Sequence, residues 1–150
     1  MSTRSNIGIV NNDNSISGIY CHYDGYLSNN GNILLEHYRS VDIVQQLMTL
    51  GDLSTLGKKL YPNVYKPHTF NNKQDDVCVS YRRDRGETEV NCTIFTDIGE
   101  FENMANDTGA EYQYLFKNDR WSFRADDGKW QELTAECCIR NDVFLKKVVD

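Results

Sequence analysis

An α+β fold is what this sequence predicts, and three observations predict it. Short runs rich in β-branched and aromatic residues recur along the chain, separated by Asn, Asp and Gly clusters that favour tight reversals. Between them lie two stretches with helical spacing of apolar residues and cap residues at both ends. The composition, 39% hydrophobic and 25% charged over 150 residues with 2 prolines, is that of a globular chain able to bury a substantial core. The expectation is a single α+β domain over 1–150, with a mostly antiparallel sheet of hairpins and a C-terminal meander, and with helices packed on one face.

The elements follow in chain order. Residues 7–10 and 16–23 flank the turn-forming run Asn11-Asn-Asp-Asn14 and read as a hairpin. A polar loop over 24–32 leads into a short helix at 33–38. Ser40 then N-caps a helix whose apolar positions Val41, Val44, Leu47 and Met48 share one stripe, and Gly51 suits its left-handed stop. Residues 52–57 suggest a single turn that folds Leu53 and Leu56 inward. From 61 to 76 the periodicity fades and both prolines occur, which predicts a long surface connection suited to a lid or binding loop. Residues 77–81 and 90–95 read as the two strands of a hairpin around Arg-Asp-Arg-Gly-Glu. Thr96 or Asp97 caps a helix running to Asn106, closed by Gly109. Residues 111–116, 120–124 and 129–133, split by Asn118-Asp119 and Asp126-Asp-Gly128, form the meander, and a small helix from Asp142 closes the chain.

Charge and cysteine content narrow the function classes. The net charge is −6, all of it in the second half: residues 1–75 balance, while 76–150 carry 16 acidic against 10 basic residues. No Lys or Arg occurs between Gly86 and Phe116, where Glu100, Glu102, Asp107 and Glu111 belong to an acidic run. That run reads either as a solvated helix face or as a patch for a basic partner, and it disfavours nucleic acid. The 5 cysteines are irregularly spaced, an odd count that argues for reduced thiols over a secreted disulfide framework. With no apolar stretch long enough for a membrane span or a leader, the expectation is a soluble intracellular protein without membrane contact.

Two polar-aromatic strings stand out, Tyr20-Cys-His-Tyr-Asp-Gly-Tyr26 and Tyr81-Arg-Arg-Asp-Arg-Gly-Glu87. Alternation on a strand places Tyr20, His22 and Asp24 on one side. A His two positions from an Asp fits a general base, a metal ligand with its supporting carboxylate, a fixed donor for a ligand, or an ordinary pair at the edge of a core. In the second string, Arg82, Arg83 and Arg85 stand beside Asp84 and Glu87. They can clamp a phosphate or carboxylate, or neutralise one another at a turn. If a nucleotide is held by the arginines, Tyr20, Tyr26 or Tyr81 should stack on its base. Metal-binding, P-loop and nucleophile-elbow signatures are missing, so neither cofactor nor metal is expected.

These residues resemble a group of small accessory proteins carried by tailed bacteriophages. The resemblance rests on an ordered set over about the first 90 residues: Thr3-Arg-Ser-Asn-Ile-Gly-Ile9, Ile19-Tyr-Cys-His-Tyr-Asp-Gly-Tyr26, Asn32-Ile-Leu-Leu-Glu-His-Tyr38, Gly51-Asp-Leu-Ser-Thr-Leu-Gly57 and Asp84-Arg-Gly-Glu87. In that group the position of Tyr23 is often Trp, and Arg82-Arg83 is often Gly-Arg. The resemblance implies no activity. Its context implies action in the cytoplasm of an infected bacterial host, as a non-enzymatic inhibitor that binds a host defence protein or a nucleotide second messenger, with a homo-oligomer left open. The alternative is an enzyme acting on a nucleotide or nucleic acid with His22 as general base.

Overall fold

The computed structural model describes residues 2–126 and 128–139, so the helix expected from Asp142 lies outside the described residues. β1 (Ser5–Val10) and β2 (Ile16–Cys21) form the expected hairpin, in unbroken antiparallel register from Ser5↔Cys21 to Val10↔Ile16. A π-helical turn over Leu27–Gly31 runs directly into α1 (Asn32–His37). α2 (Val41–Thr49) starts where the Ser40 hydroxyl accepts the Ile43 N–H, and it stops at Gly51, whose φ of 72° is left-handed.

Residues 52–57 depart from the expected turn. Leu53–Thr55 is a strand, β3, paired parallel to β2 at Cys21 and antiparallel to β4 (Val79–Ser80). The apolar residues expected to fold inward do so: Leu53 and Leu56 are buried. The predicted 77–95 hairpin does not form either, because Tyr81–Arg85 coils into a short helix, α3, capped by the Ser80 hydroxyl and stopped by Gly86 at φ 70°. That helix redirects the chain, so β5 (Thr93–Phe95) pairs with β2 instead of β4.

α4 (Ile98–Thr108) has the anticipated caps, Asp97 accepting the Glu100 N–H and Gly109 at φ 73°. The meander of β6 (Tyr112–Lys117), β7 (Arg120–Ala125) and β8 (Gln131–Glu132) follows, its first reversal made by Asn118 and Asp119, both at positive φ. The sheet runs β4-β3-β2-β1-β6-β7-β8, with β5 sharing an edge of β2 with β3. It is mostly antiparallel; the exceptions among the named strands are β1 with β6 and β2 with β3.

The α+β class stands as expected, but the helices divide between the two faces. Ile7 and Ile9 of β1 and Tyr114 and Phe116 of β6 pack with Leu34 of α1 and Val44 and Leu47 of α2. On the opposite face, Ile16 and Leu115 meet Phe101 and Met104 of α4. Phe101 is fully buried and lies so close over Gly8 and Gly18 that a side chain at either would collide with its ring. Burying a ring of that size contributes about 1.5–3 kcal/mol. β6 therefore has no solvent face along Tyr112–Phe116, where every residue is buried. On the α1–α2 side, polar contacts to backbone tie the packing together: Tyr38 donates to the Gly57 carbonyl at 2.6 Å, and Trp121 Nε1 donates to the Tyr38 carbonyl at 2.7 Å.

Candidate functional site

β2 ends in the first string. Tyr20 and His22 do share a side, and their hydroxyl and Nδ1 are 2.6 Å apart. The Tyr20 N–H donates to Asp52 Oδ1 at 2.9 Å, which fixes the strand end to the start of β3. Tyr23, 46% exposed, sets its ring edge-on to His22 at a centroid distance of 4.5 Å. Asp24, the carboxylate expected to orient His22, leaves the strand at φ 58° and is exposed; its carbonyl accepts from the N–H of Asn30 and the side chain of Asn29. Tyr26 packs against the core. The hydrogen-bond partner given to His22 is thus Tyr20, not Asp24.

Burial first, and then the nearby Arg4 charge, hold the His22 imidazole below its ordinary value. The unfolded chain then binds a proton more readily than the folded one as pH falls through the ordinary value of 6.5. Stability from His22 is complete above that pH and is lost below it. The expected result is a smaller fall in urea midpoint between pH 7 and pH 5 for His22→Ala than for the parent; parallel falls would contradict it.

The second string is committed largely to structure. Arg83 grips Asp84 through two bonds of 3.0 Å, and two more of its five donors reach the carbonyls of Leu60 at 2.6 Å and Cys78 at 2.7 Å. Asp84 also accepts the Ser80 N–H at 2.8 Å. His68, which carried no motif in sequence, meets the same carboxylate: its Nε2 lies 3.4 Å from Asp84 Oδ1, and both side chains are 4% exposed. Its Nδ1 accepts the Gln74 N–H at 3.0 Å, which puts the ring proton on the nitrogen facing Asp84. Burial by itself would raise the Asp84 carboxyl, but Arg83, the Ser80 N–H and His68 outweigh it and hold the group below its ordinary value. Arg82 caps α2 through the Thr49 carbonyl.

Arg85 is used differently. Its Nε donates to Glu87 Oε2 at 2.6 Å, while its guanidinium carbon sits 4.4 Å from the Phe70 ring centre and 5.3 Å from that of Tyr81. Phe70 and Tyr81 are themselves 5.5 Å apart. Sequence reasoning missed Phe70, while it read His68 as a surface or packing residue, and packing is what the buried ring does. The available signal was Pro67-His-Thr-Phe70, an imidazole and a ring set behind a proline in an otherwise polar loop.

β3 brings the two strings together. The N–H groups of His22 and Tyr23 donate to the carbonyls of Leu53 and Ser54, both at 3.0 Å, and the Tyr81 N–H donates to that of Asp52 at 3.3 Å. The Tyr81 side chain hydrogen-bonds Ser54. Tyr20 and Tyr81 are close enough to act on one another's ionisation: burial raises Tyr20, Arg4 opposes it, and Tyr81 adds to it. The result is a partly exposed surface of Tyr20, His22, Tyr23, Phe70, Tyr81 and Arg85 above two buried thiols. Cys21 is pushed up to about 12 by burial, a value at which it is unreactive near neutral pH.

The four acidic residues are not equivalent. Glu100 reaches back past the Asp97 cap to accept the Thr96 N–H at 2.8 Å, and Glu102 accepts from Trp130 Nε1 at 2.8 Å beside Arg124. Asp107 and Glu111 are exposed. No helix among the described residues is long and apolar enough to cross a membrane.

Comparison with family models, curated proteins and solved structures returns no match. What the surface does is therefore argued from its residues.

Proposed function

We propose that this chain is a non-enzymatic binding protein, and in particular a phage accessory protein that occupies a host defence protein in the cytoplasm of the infected cell. The observation that carries the reading is the Arg85 guanidinium layered on Phe70 and Tyr81, next to the exposed ring of Tyr23. Exposed aromatic and Arg side chains held in fixed positions are the residue types that dominate protein interfaces. A nucleotide signal is the weaker target, because Arg83 commits four of its five donors to Asp84 and two carbonyls and Arg82 is bonded to the end of α2. That leaves Arg85 as the guanidinium of the string on the aromatic surface, already paired with Glu87.

The test is capture from infected host cells with crosslinking, followed by affinity measurement on the captured protein. Tyr23→Ala and Arg85→Ala are each expected to weaken it about 30-fold, the effect of losing an interface hot spot of about 2 kcal/mol, with little change in melting temperature. Unchanged affinity in both variants would remove the surface from the interface. A second reading, an enzyme with His22 as base, is favoured by the Tyr20 contact that orients the ring. Undiminished function in His22→Ala would exclude it.

A further inference from the structure

The loop over 61–76 holds a second surface. From Leu53 to Gln74 the chain has no acidic residue but carries Lys58, Lys59, Lys66 and Lys73. Among the described residues none of these lysines forms an ion pair. Lys59, Lys66 and Lys73 line a groove of about 520 Å³ in which Asp75 is the opposing charge. Beside Lys66 in the chain, Val64 and Tyr65 are 84% and 92% exposed.

This loop is built to one shape. Gln74 accepts the Asn63 N–H at 2.8 Å and donates to the carbonyls of Asn63, Lys66 and Pro67 at 2.9, 3.0 and 3.3 Å. Asn63 Oδ1 accepts the Tyr65 N–H at 3.0 Å, closing the turn that holds Val64 and Tyr65 outward. Thr69 and Asn72 exchange backbone bonds at 3.1 and 3.3 Å, and His68 is anchored against Asp84. A Val-Tyr pair in a slack loop could fold inward; here the frame holds it in water. Ordering that binding would otherwise have to impose is already in place.

We propose that this loop is a docking element for an acidic protein segment with an apolar anchor, its carboxylates entering the lysine groove and its anchor covering Val64 and Tyr65. The inference rests on the reading of the chain as a binding protein, but not on the Tyr23–Arg85 surface. Lys ammonium groups pair with carboxylates as point charges, and the exposed Tyr65 ring offers the anchor an apolar face with a polar tip. A short acidic segment meets only the lysine groove, whereas a nucleic acid backbone or an anionic bilayer would also meet the wider surface of a chain whose net charge is −6.

The test probes the full chain on an array of random-sequence dodecapeptides graded in acidic and apolar content. Retained peptides are expected to be enriched in both Asp or Glu and Leu, Ile or Phe. The triple variant Lys59→Glu, Lys66→Glu, Lys73→Glu and the double variant Val64→Ser, Tyr65→Ser should each reduce retention at least tenfold at unchanged melting temperature. Tyr23→Ala should leave the array signal intact while weakening the captured host protein, so the two readings fail separately. Retention that needs acid but no apolar residue, or that inorganic tripolyphosphate abolishes outright, would overturn the proposal in favour of a small-anion site. Binding instead to anionic phosphatidylglycerol vesicles or an oligonucleotide, loop-dependent self-association, or an array without selection would overturn it equally.

Discussion

Asp84→Ala is expected to lower stability by about 3–5 kcal/mol at pH 7, because it strands a part-buried guanidinium together with a buried imidazole and a backbone donor. The Arg83 fork, the Ser80 N–H and His68 all converge on this one carboxylate. The damage should extend to the aromatic surface: releasing His68 frees the segment that carries Phe70, and Phe70 supports Arg85. The pH dependence has a definite sign. Because the folded-state value lies below the ordinary 3.8, the contribution is complete above the unfolded value and is lost as pH falls through the folded one. The stability gap between the parent and Asp84→Asn should therefore narrow below about pH 4. Urea unfolding at pH 7, 4 and 3 measures both; a loss under about 1 kcal/mol at pH 7 would mean that the carboxylate behaves as a surface ion pair.

Gly51→Ala is expected to cost about 3 kcal/mol, from two causes that add. At φ 72° an alanine costs about 1–2 kcal/mol, and its methyl group would fall on the Val90 carbonyl oxygen, well inside contact distance, at about 1–3 kcal/mol for the backbone shift. That carbonyl accepts the Asp52 N–H at 2.8 Å, and the Asp52 carboxylate in turn holds Tyr20. Chemical shifts of Tyr20 and His22 should consequently move in any Gly51→Ala that still folds. A loss of only about 1–2 kcal/mol would show that the Val90 segment yields freely and leaves the φ cost alone, and stability within about 0.5 kcal/mol of the parent would contradict both causes.

The contrast between these residues shows what the sequence made legible. Caps are local: Ser40, Asp97, Gly51 and Gly109 announce the ends of α2 and α4 because the satisfying groups lie within a few residues. The β1–β2 hairpin was readable for the same reason, through Asn11-Asn-Asp-Asn14. The strand β3 was not, because Leu53–Thr55 carries little strand signal alone and is held by β2 and β4 on either side. The same gap misplaced the pairing of β4 and β5, since a five-residue helix between two strands looks like a turn in sequence.

At the site, both strings were visible as unusual composition and β3 brings them side by side. Their internal division was hidden. Nothing in Arg82-Arg-Asp-Arg separates Arg83, turned to Asp84 and two carbonyls, from Arg85, turned to two rings; that depends on Leu60, His68 and Phe70, up to 23 residues away. The acidic run likewise read as uniform, although Trp130 and Arg124 claim Glu102 from across the meander.

The parallel pairing of β1 with β6 governs when this molecule can exist at all. Asn6 and Gln113 bond side chain to side chain across 107 positions of sequence, between strands near opposite ends of the chain. At about 5–20 residues per second, a ribosome needs roughly 5–20 s between making the two partners. During that interval β1 and β2 can close as a hairpin, but one flank of β1 has no neighbour and the face meant for α4 has no cover. The emerging protein therefore holds an open strand edge while still tethered, and its assembly waits on α4 and β6. Truncation before residue 112 should leave a hairpin that cannot become this fold.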